Sequence, residues 1–181
     1  MRNINEFRAR MKFGGARTSL FEVQITNPIN GIADLDLPIM CKAASLPGTN
    51  VAPLDIFHFG RPIKVPGNRT FEEWNVTIYN DEDYTIRNAI EQWANAINSP
   101  VGNIRKLPSS EQSLYKSDAI VSSIGQAGNV LRTYKFSGIW PTAVAPLEMS
   151  WDNEAIAETQ VTFAIDYFTV DGGITGNAGG I

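Results

Sequence analysis

Hydrophobic and polar positions alternate along most of this chain, and near Asn80 the alternation gives way to the 3.6-residue spacing of an α-helix. Trp74, Val76 and Ile78 fall on one face of a predicted strand, and Glu73, Asn75 and Thr77 on the other. Ile86, Ala89, Ile90, Trp93, Ala94 and Ile97 then make one apolar stripe, which predicts a helix over about residues 82–98. Asp81 or Asp83 can accept hydrogen bonds from first-turn N–H groups, and with Glu82 they suit the positive end of the helix dipole. Pro100 ends the element. A helix with one apolar stripe must lie against a sheet to bury it.

The rest of the chain reads as strands and turns. Phe21, Val23 and Ile25 alternate with Glu22, Gln24 and Thr26, and turn signals follow at Asn27-Pro28 and Asn30-Gly31. Further strands are predicted at 38–45 and around 54–59. Between the latter and Gly67 lies a loop stiffened by Pro62 and Pro66 that presents Ile63 and Val65. Residues 99–113 read as a loop, with Ser109 and Gln112 spaced as a weak capping box. Residues 115–124 and 130–136 flank a Gly-rich turn and predict a hairpin. A last alternating strand carries Val161, Phe163, Ile165 and Tyr167 on one face. The expected core is Phe21, Val23, Trp74, Val76, Ile78, Phe163 and Ile165, covered by Ile86, Ile90, Trp93 and Ile97 of the helix.

Composition fits this picture. The 181 residues suit one domain with a sizeable core, and 19% charged residues with 15 Gly and 10 Pro favour a β-rich, turn-rich fold. The expected division is an N-terminal arm over 1–17, a single β domain over 18–170 and a flexible, Gly-rich tail over 171–181. Five of the 15 basic residues, Arg2, Arg8, Arg10, Lys12 and Arg17, sit in the arm. Such an arm either frays or orders against an acidic partner. A formal net charge of −4 argues against binding nucleic acid by phosphate neutralisation. No signal-peptide pattern and no run of ~20 apolar residues is present, so a soluble protein made in a cytoplasm, with no membrane partner, is expected.

Candidate chemistry is sparse. Cys41 and His58 are the only residues of their kinds, on strands predicted to be adjacent; a small hydrophobe is the better reading of Cys41 than half of a dyad. Asp81, Glu82 and Asp83 lack the glycine and glutamate that an EF-hand needs, since Ile86 and Gln92 stand there. Gly125-Gln-Ala-Gly128 has neither the lysine nor the strand-to-helix setting of a phosphate loop. No catalytic residue, metal ligand or cofactor is expected.

Several ordered blocks carry a resemblance: Gly14-Gly-Ala-Arg-Thr-Ser-Leu-Phe-Glu-Val23, Lys42-Ala-Ala-Ser-Leu-Pro47, Asn68-Arg-Thr-Phe-Glu-Glu-Trp-Asn-Val-Thr-Ile-Tyr-Asn-Asp-Glu82, Gly138-Ile-Trp-Pro-Thr-Ala-Val144, Leu147-Glu-Met-Ser-Trp-Asp152 and Glu158-Thr-Gln-Val-Thr-Phe-Ala-Ile-Asp-Tyr-Phe168. In this order, over about residues 13–168, the chain resembles the tail tube proteins of contractile-tailed bacteriophages, and more distantly those of type VI secretion and injection systems. The resemblance implies a mainly β fold, a two-sheet β-sandwich or partly open barrel with one flanking α-helix. It also implies hexameric rings stacked helically into a hollow tube inside a contractile sheath, part of the virion tail and assembled in the host cytoplasm. Its expected partners are other copies of itself and the tail sheath, baseplate and tail terminator proteins, with tape measure protein and DNA passing through the lumen unbound. A baseplate tube initiator or secretion-type tube protein shares this pattern. A monomeric β-sandwich that grips a carbohydrate or peptide through 46–67 or 99–113 is the alternative of another class.

In that setting Arg8, Arg10, Lys12, Arg17, Arg61, Ile63, Val65 and Arg69 are expected assembly contacts, because projecting segments are what can reach a neighbour. The lumen wall is expected from hairpins at 38–59 and 115–136. There Lys42, Lys116, Arg132 and Lys135 should pair with acids such as Asp55 and Asp118, or point into subunit seams, so that the bore does not collect phosphates.

Overall fold

A computed structural model of the chain describes residues 3–11, 14–108 and 110–172. Strands dominate. β1 (Phe21–Ile25), β6 (Ser117–Ile124), β7 (Val130–Val144) and β9 (Tyr167–Gly172) pair in the order β1-β6-β7-β9. The far half of β7 leaves that sheet and pairs with β8 (Glu158–Ala164), which continues through β5 (Trp74–Tyr79) to β2 (Cys41–Ala44). One 15-residue strand therefore belongs to both sheets of a sandwich. All these pairings are antiparallel.

Gly138 is where β7 changes sheets. It adopts φ +71°, a value that L-residues disfavour, and a Cβ there would run into the Asp166 carboxylate. The register slips beside it, with Asp118 opposite Ser137 and Ser117 opposite Ile139. Asp166 braces the bend: its N–H donates to Ser137 O at 3.1 Å, and its carboxylate accepts from Lys116 Nζ at 2.8 and 2.6 Å.

The core lies between the sheets. The Trp74 ring stacks on Phe136 at 4.7 Å and 12°, and meets its cross-strand partner Phe163 at 5.5 Å. Val23, Val76, Ile78, Ile139, Val161 and Phe163 are essentially inaccessible around them. Phe21, Ile97 and Ile165 are only partly buried and flank this core. For Phe21 the reason is position, since it opens β1 at the mouth of the sandwich. Helix α3 (Thr85–Ile97) lies on the same inner face. It buries Ile86, Ala89, Ile90 and Trp93, with the Trp93 ring 6.1 Å from Phe163 and its Nε1–H donating to Tyr115 O at 2.7 Å. The helix is held to β8 by Arg87, whose guanidinium donates to Thr159 Oγ1 at 3.2 Å while that hydroxyl donates to Asn80 Oδ1 at 2.8 Å. Asp81 accepts from both the N–H and the hydroxyl of Thr85, at 2.8 and 2.7 Å, and the latter bond leads in pulling its pKa below 3.8.

Four elements differ from the sequence reading. Residues 38–45 are not one strand: α2 (Leu37–Met40) precedes β2, because Pro38 suits the first turn of a helix. The segment 60–67 is not a loop. It lies within β4 (Arg61–Phe71), which pairs with β3 (Thr49–His58) as a separate ribbon, and each strand of a ribbon has a free edge where proline is tolerated. The last alternating run divides at Ile165-Asp166 into β8 and β9, which join different sheets. The arm carries a short helix, α1 (Ile4–Arg10), capped by Asn3. At the C-terminal side, β9 extends two residues past the expected boundary at 170, and Lys135 pairs with Asp171. The rest of the expected tail, together with Lys12 and Ser109, lies outside the described residues.

Gly138→Ala should lose at least about 1–2 kcal/mol for the left-handed conformation alone, read by chemical denaturation. Trp93→Ala should lose about 3–5 kcal/mol, whereas Trp93→Phe should lose less by retaining most of the packing. Asp81→Ala should be less stable than the parent at neutral pH. The depressed pKa makes that advantage full above about 3.8 and fading as pH falls below it, so the two melting curves should converge in acid.

Candidate assembly surfaces

The ribbon β3–β4 stands apart from the sandwich. Its turn, Phe59-Gly60, has φ of +48° and +77° at its two residues, the geometry of a two-residue hairpin. This local closure outcompetes the expected pairing of 38–45 with 54–59, so no hairpin spans 38–59. Leu54 faces Val65 and Ile56 faces Ile63 across one side of the ribbon, while Asp55–Lys64 and Phe57–Pro62 occupy the other. Every residue of β3 is exposed, with Phe57 at 71% and Ile63 on β4 at 56%. An isolated two-stranded ribbon is marginal in water, so one this long and apolar is built to be covered.

Other exposed apolar residues gather on projecting segments. On α1, Ile4 and Phe7 are 66% and 60% exposed beside Arg8 and Arg10. Val101 and Ile104 project from the loop after α3, and Met149, Trp151 and Ile156 from the loop before β8. Arg17, Arg61 and Arg69 are exposed, and among the described residues none of the three has a carboxylate within 4.0 Å.

Three of the four basic residues expected at the lumen or seam are in ion pairs, with partners other than those expected. Lys42 binds Glu158 at 2.5 Å and lies 5.5 Å from the centre of the Tyr79 ring; the Glu158 bond raises its pKa. Lys116 binds Asp166 at 2.6 Å, and Lys135 binds Asp171. The Arg132 guanidinium sits over the Tyr134 ring at 5.4 Å. Asp55 stands opposite Lys64 on the ribbon and Asp118 opposite Ser137, and neither forms an ion pair among the described residues. The acids that hold these lysines, Glu158 in β8, Asp166 at the turn between β8 and β9 and Asp171 in β9, were not singled out as partners in the sequence; Gly138 inside a strand pattern was the available signal of the bend that places Asp166.

Cys41 and His58 do not share a sheet. β2 pairs with β5, whereas His58 ends β3 and packs its ring edge against Phe59 at 4.5 Å. Burial pushes the Cys41 thiol up to about 11, so it is a poor nucleophile at neutral pH. Among the described residues no three His, Cys, Asp or Glu side chains come together as a metal site, and no helix is long and apolar enough to cross a membrane.

A sandwich whose exposed apolar residues gather on a ribbon, an arm, two loops and the segment before β2 is an assembly subunit in class. The chain belongs to the phage tail tube protein family, whose model matches residues 4–171. It is similar to tail tube protein gp19 of Enterobacteria phage T4, with 34% identity over 155 residues that span 84% of this chain and 90% of that one. Its fold is also that of the tube-terminating cap of the anti-feeding prophage, with a TM-score of 0.65 at 22% identity, covering 87% of this chain and 91% of that one. A chain of the PVC sheath–tube complex, from an extracellular contractile injection system in its extended state, superposes with a TM-score of 0.59 at 15% identity, covering 95% and 99%.

With a thiol pKa of about 11, Cys41 should react with a maleimide or disulfide reagent at pH 8 orders of magnitude more slowly than in denaturant, because only roughly one thiol in a thousand is ionised. Equal labelling rates in the two states would contradict the burial.

Proposed function

We propose that this protein is the repeating subunit of the tail tube of a contractile phage, forming hexameric rings that stack into the conduit for DNA inside a sheath. Membership of the tail tube family supports the role. The observation from the fold that carries it is the β3–β4 ribbon, an apolar element that meets the sandwich at its base, where Phe71 packs on Phe168, and is otherwise largely uncovered among the described residues. The ribbon and the arm reach neighbouring copies, with Arg8, Arg10, Lys12, Arg17, Arg61, Ile63, Val65 and Arg69 among the contacts. Sheath, baseplate and terminator proteins meet the outside and the ends of the tube, and tape measure protein and DNA pass within. The subunits are made in the bacterial host cytoplasm and remain in the virion. Its work is mechanical and needs no catalysis.

The bore is assigned to the outer face of β1-β6-β7-β9, which replaces the 38–59 hairpin as partner of the 115–136 hairpin. Four strands from each of six copies close a barrel of ~24 strands; at ~4.8 Å spacing and ~40° tilt its backbone diameter is about 48 Å. Side chains leave roughly 38 Å, wider than duplex DNA. Alternation puts Glu22, Asp118, Lys135 and Asp171 on this face, and its one lysine is already held by Asp171. A wall of that charge does not gather phosphates.

Purified protein should form rings or tubes in negative stain, and a chain with 51–66 replaced by a short Gly linker should stay folded yet fail to polymerise. A parent that stays monomeric at all concentrations would favour a ligand-binding module instead. Tubes of Glu22→Lys/Asp118→Lys subunits should retain duplex DNA in a salt-dependent manner that parent tubes lack. Parent tubes that hold DNA at physiological salt would contradict the assignment of the bore.

A further inference from the structure

The seam between β1 and β2 is finished differently at its two ends. Where β1 begins and β2 ends, the sandwich gapes into an open apolar groove of about 580 Å³ lined by Phe21, Leu46, Val121 and Tyr134, with Arg17 and Arg132 beside them. Neither arginine has a carboxylate within 4.0 Å among the described residues, and Arg132 lies over the Tyr134 ring. At the other end, a 3-10 turn (Gly31–Ala33) and α2 form a knob. Ile32, Leu35 and Ile39 project from it at 70%, 83% and 83% exposure, with Asp36 exposed among them. The knob is firmly mounted. Ala33 and Leu37 are buried beneath it, Asn27 Nδ2 donates to Ala89 O at 3.0 Å, and Asn30 Nδ2 donates to Gln92 Oε1 at 2.8 Å. Asp34 is used internally, accepting from Asn27 N–H at 3.1 and 3.2 Å, which leaves Asp36 as the knob's unpaired acid.

We infer that the knob of one copy seats in the groove of the next, with Leu35 entering among Phe21, Leu46 and Tyr134, and Asp36 meeting Arg17 and Arg132. Charge and rigid mounting together select this occupant. The ribbon carries Arg61, Lys64 and Arg69, and α1 carries Arg8 and Arg10, so both share the sign of the groove. The knob and the loop before β8, where Met149, Trp151 and Ile156 stand beside Glu148, Asp152 and Glu154, both bring apolar residues together with acids, and of the two only the knob is mounted on buried residues, Ala33 and Leu37. Position gives the direction of the contact. Knob and groove lie at opposite ends of β1, about 17 Å apart for five residues, so a copy that seats its knob leaves its own groove open to a further copy and the contact runs head to tail. With strands inclined ~40° to the tube axis, a displacement along a strand runs more along the axis than around it. The contact therefore joins successive rings. This inference rests on the tube reading above and assigns one of its joints.

The test uses full-length protein in a Cys41→Ser background, with Leu35→Cys and Leu46→Cys in the same chain. Oxidised tubes should give a covalent ladder of many copies, with the two introduced thiols joined between chains. Asp36→Arg should lower the yield of tubes at least tenfold while melting like the parent and still forming rings. Adding Arg17→Glu and Arg132→Glu to it should restore tubes, a rescue that a folding defect would not allow. Parent tubes with no cross-link, and an Asp36→Arg variant that polymerises normally, would overturn the pairing and leave the tube reading intact. Failure of the parent to assemble would overturn both. Cross-links that stop at the size of a single ring would place the contact around the ring and overturn the inter-ring assignment. A groove thiol that instead joins one introduced by Ile174→Cys would show the groove filled by the chain's own tail, and would equally overturn it.

Discussion

The bend in β7 at Gly138 is the constraint on which the rest of the molecule depends. A strand that belongs to two sheets fixes their relative placement, and here it does so where the backbone takes a positive φ and no side chain stands in the way of Asp166. The same bend brings Asp166 to Lys116 and directs β9 back along the first half of β7. Once the sheets are set, Trp74 and Phe136 must meet face to face, and the remaining inward residues fill around that stack.

Within this frame the polar interior is small and satisfied mainly through chains of contacts. Arg87, Thr159 and Asn80 tie helix to sheet, and Trp93 ties helix to the loop before β6. The Trp74 indole N–H and the Asn80 Nδ2 are buried without a hydrogen-bond partner among the described residues. The stacked Phe136 ring and the surrounding aliphatic side chains leave the indole no acceptor, and its packing offsets the loss. A stiff body results, while the apolar residues that the core does not use stand on the ribbon, the arm, the knob and the loops.

That distribution suits a subunit that is repeated. A tail tube protein builds by repetition, so its subunit needs surfaces that meet its neighbours. The ribbon and the knob stand exposed, and the groove beside Arg17 and Arg132 stands open. Lys42, Lys116 and Lys135 are held by Glu158, Asp166 and Asp171. Its working chemistry lies in surfaces that only other copies complete.

The sequence by itself determined whatever depends on local period. The change from two-residue to 3.6-residue spacing at Asn80 defines β5 and α3 and the inward positions of Trp74, Val76, Ile78, Ile86, Ile90 and Trp93, and the alternation of the last strand run places Val161 and Phe163. The tail tube family was also legible, because several ordered blocks share its pattern. Strand partnership was not. Residues 54–59 alternate equally well whether they pair with 38–45 or with 61–71, and only the Phe59-Gly60 turn, closing the shorter loop, decides for the latter. Tertiary structure likewise decided which acids hold the lysines. An ion pair needs two side chains within about 4 Å, and for Lys116 and Asp166 that proximity exists only because β7 bends at Gly138 and β8 hands over to β9 beside it.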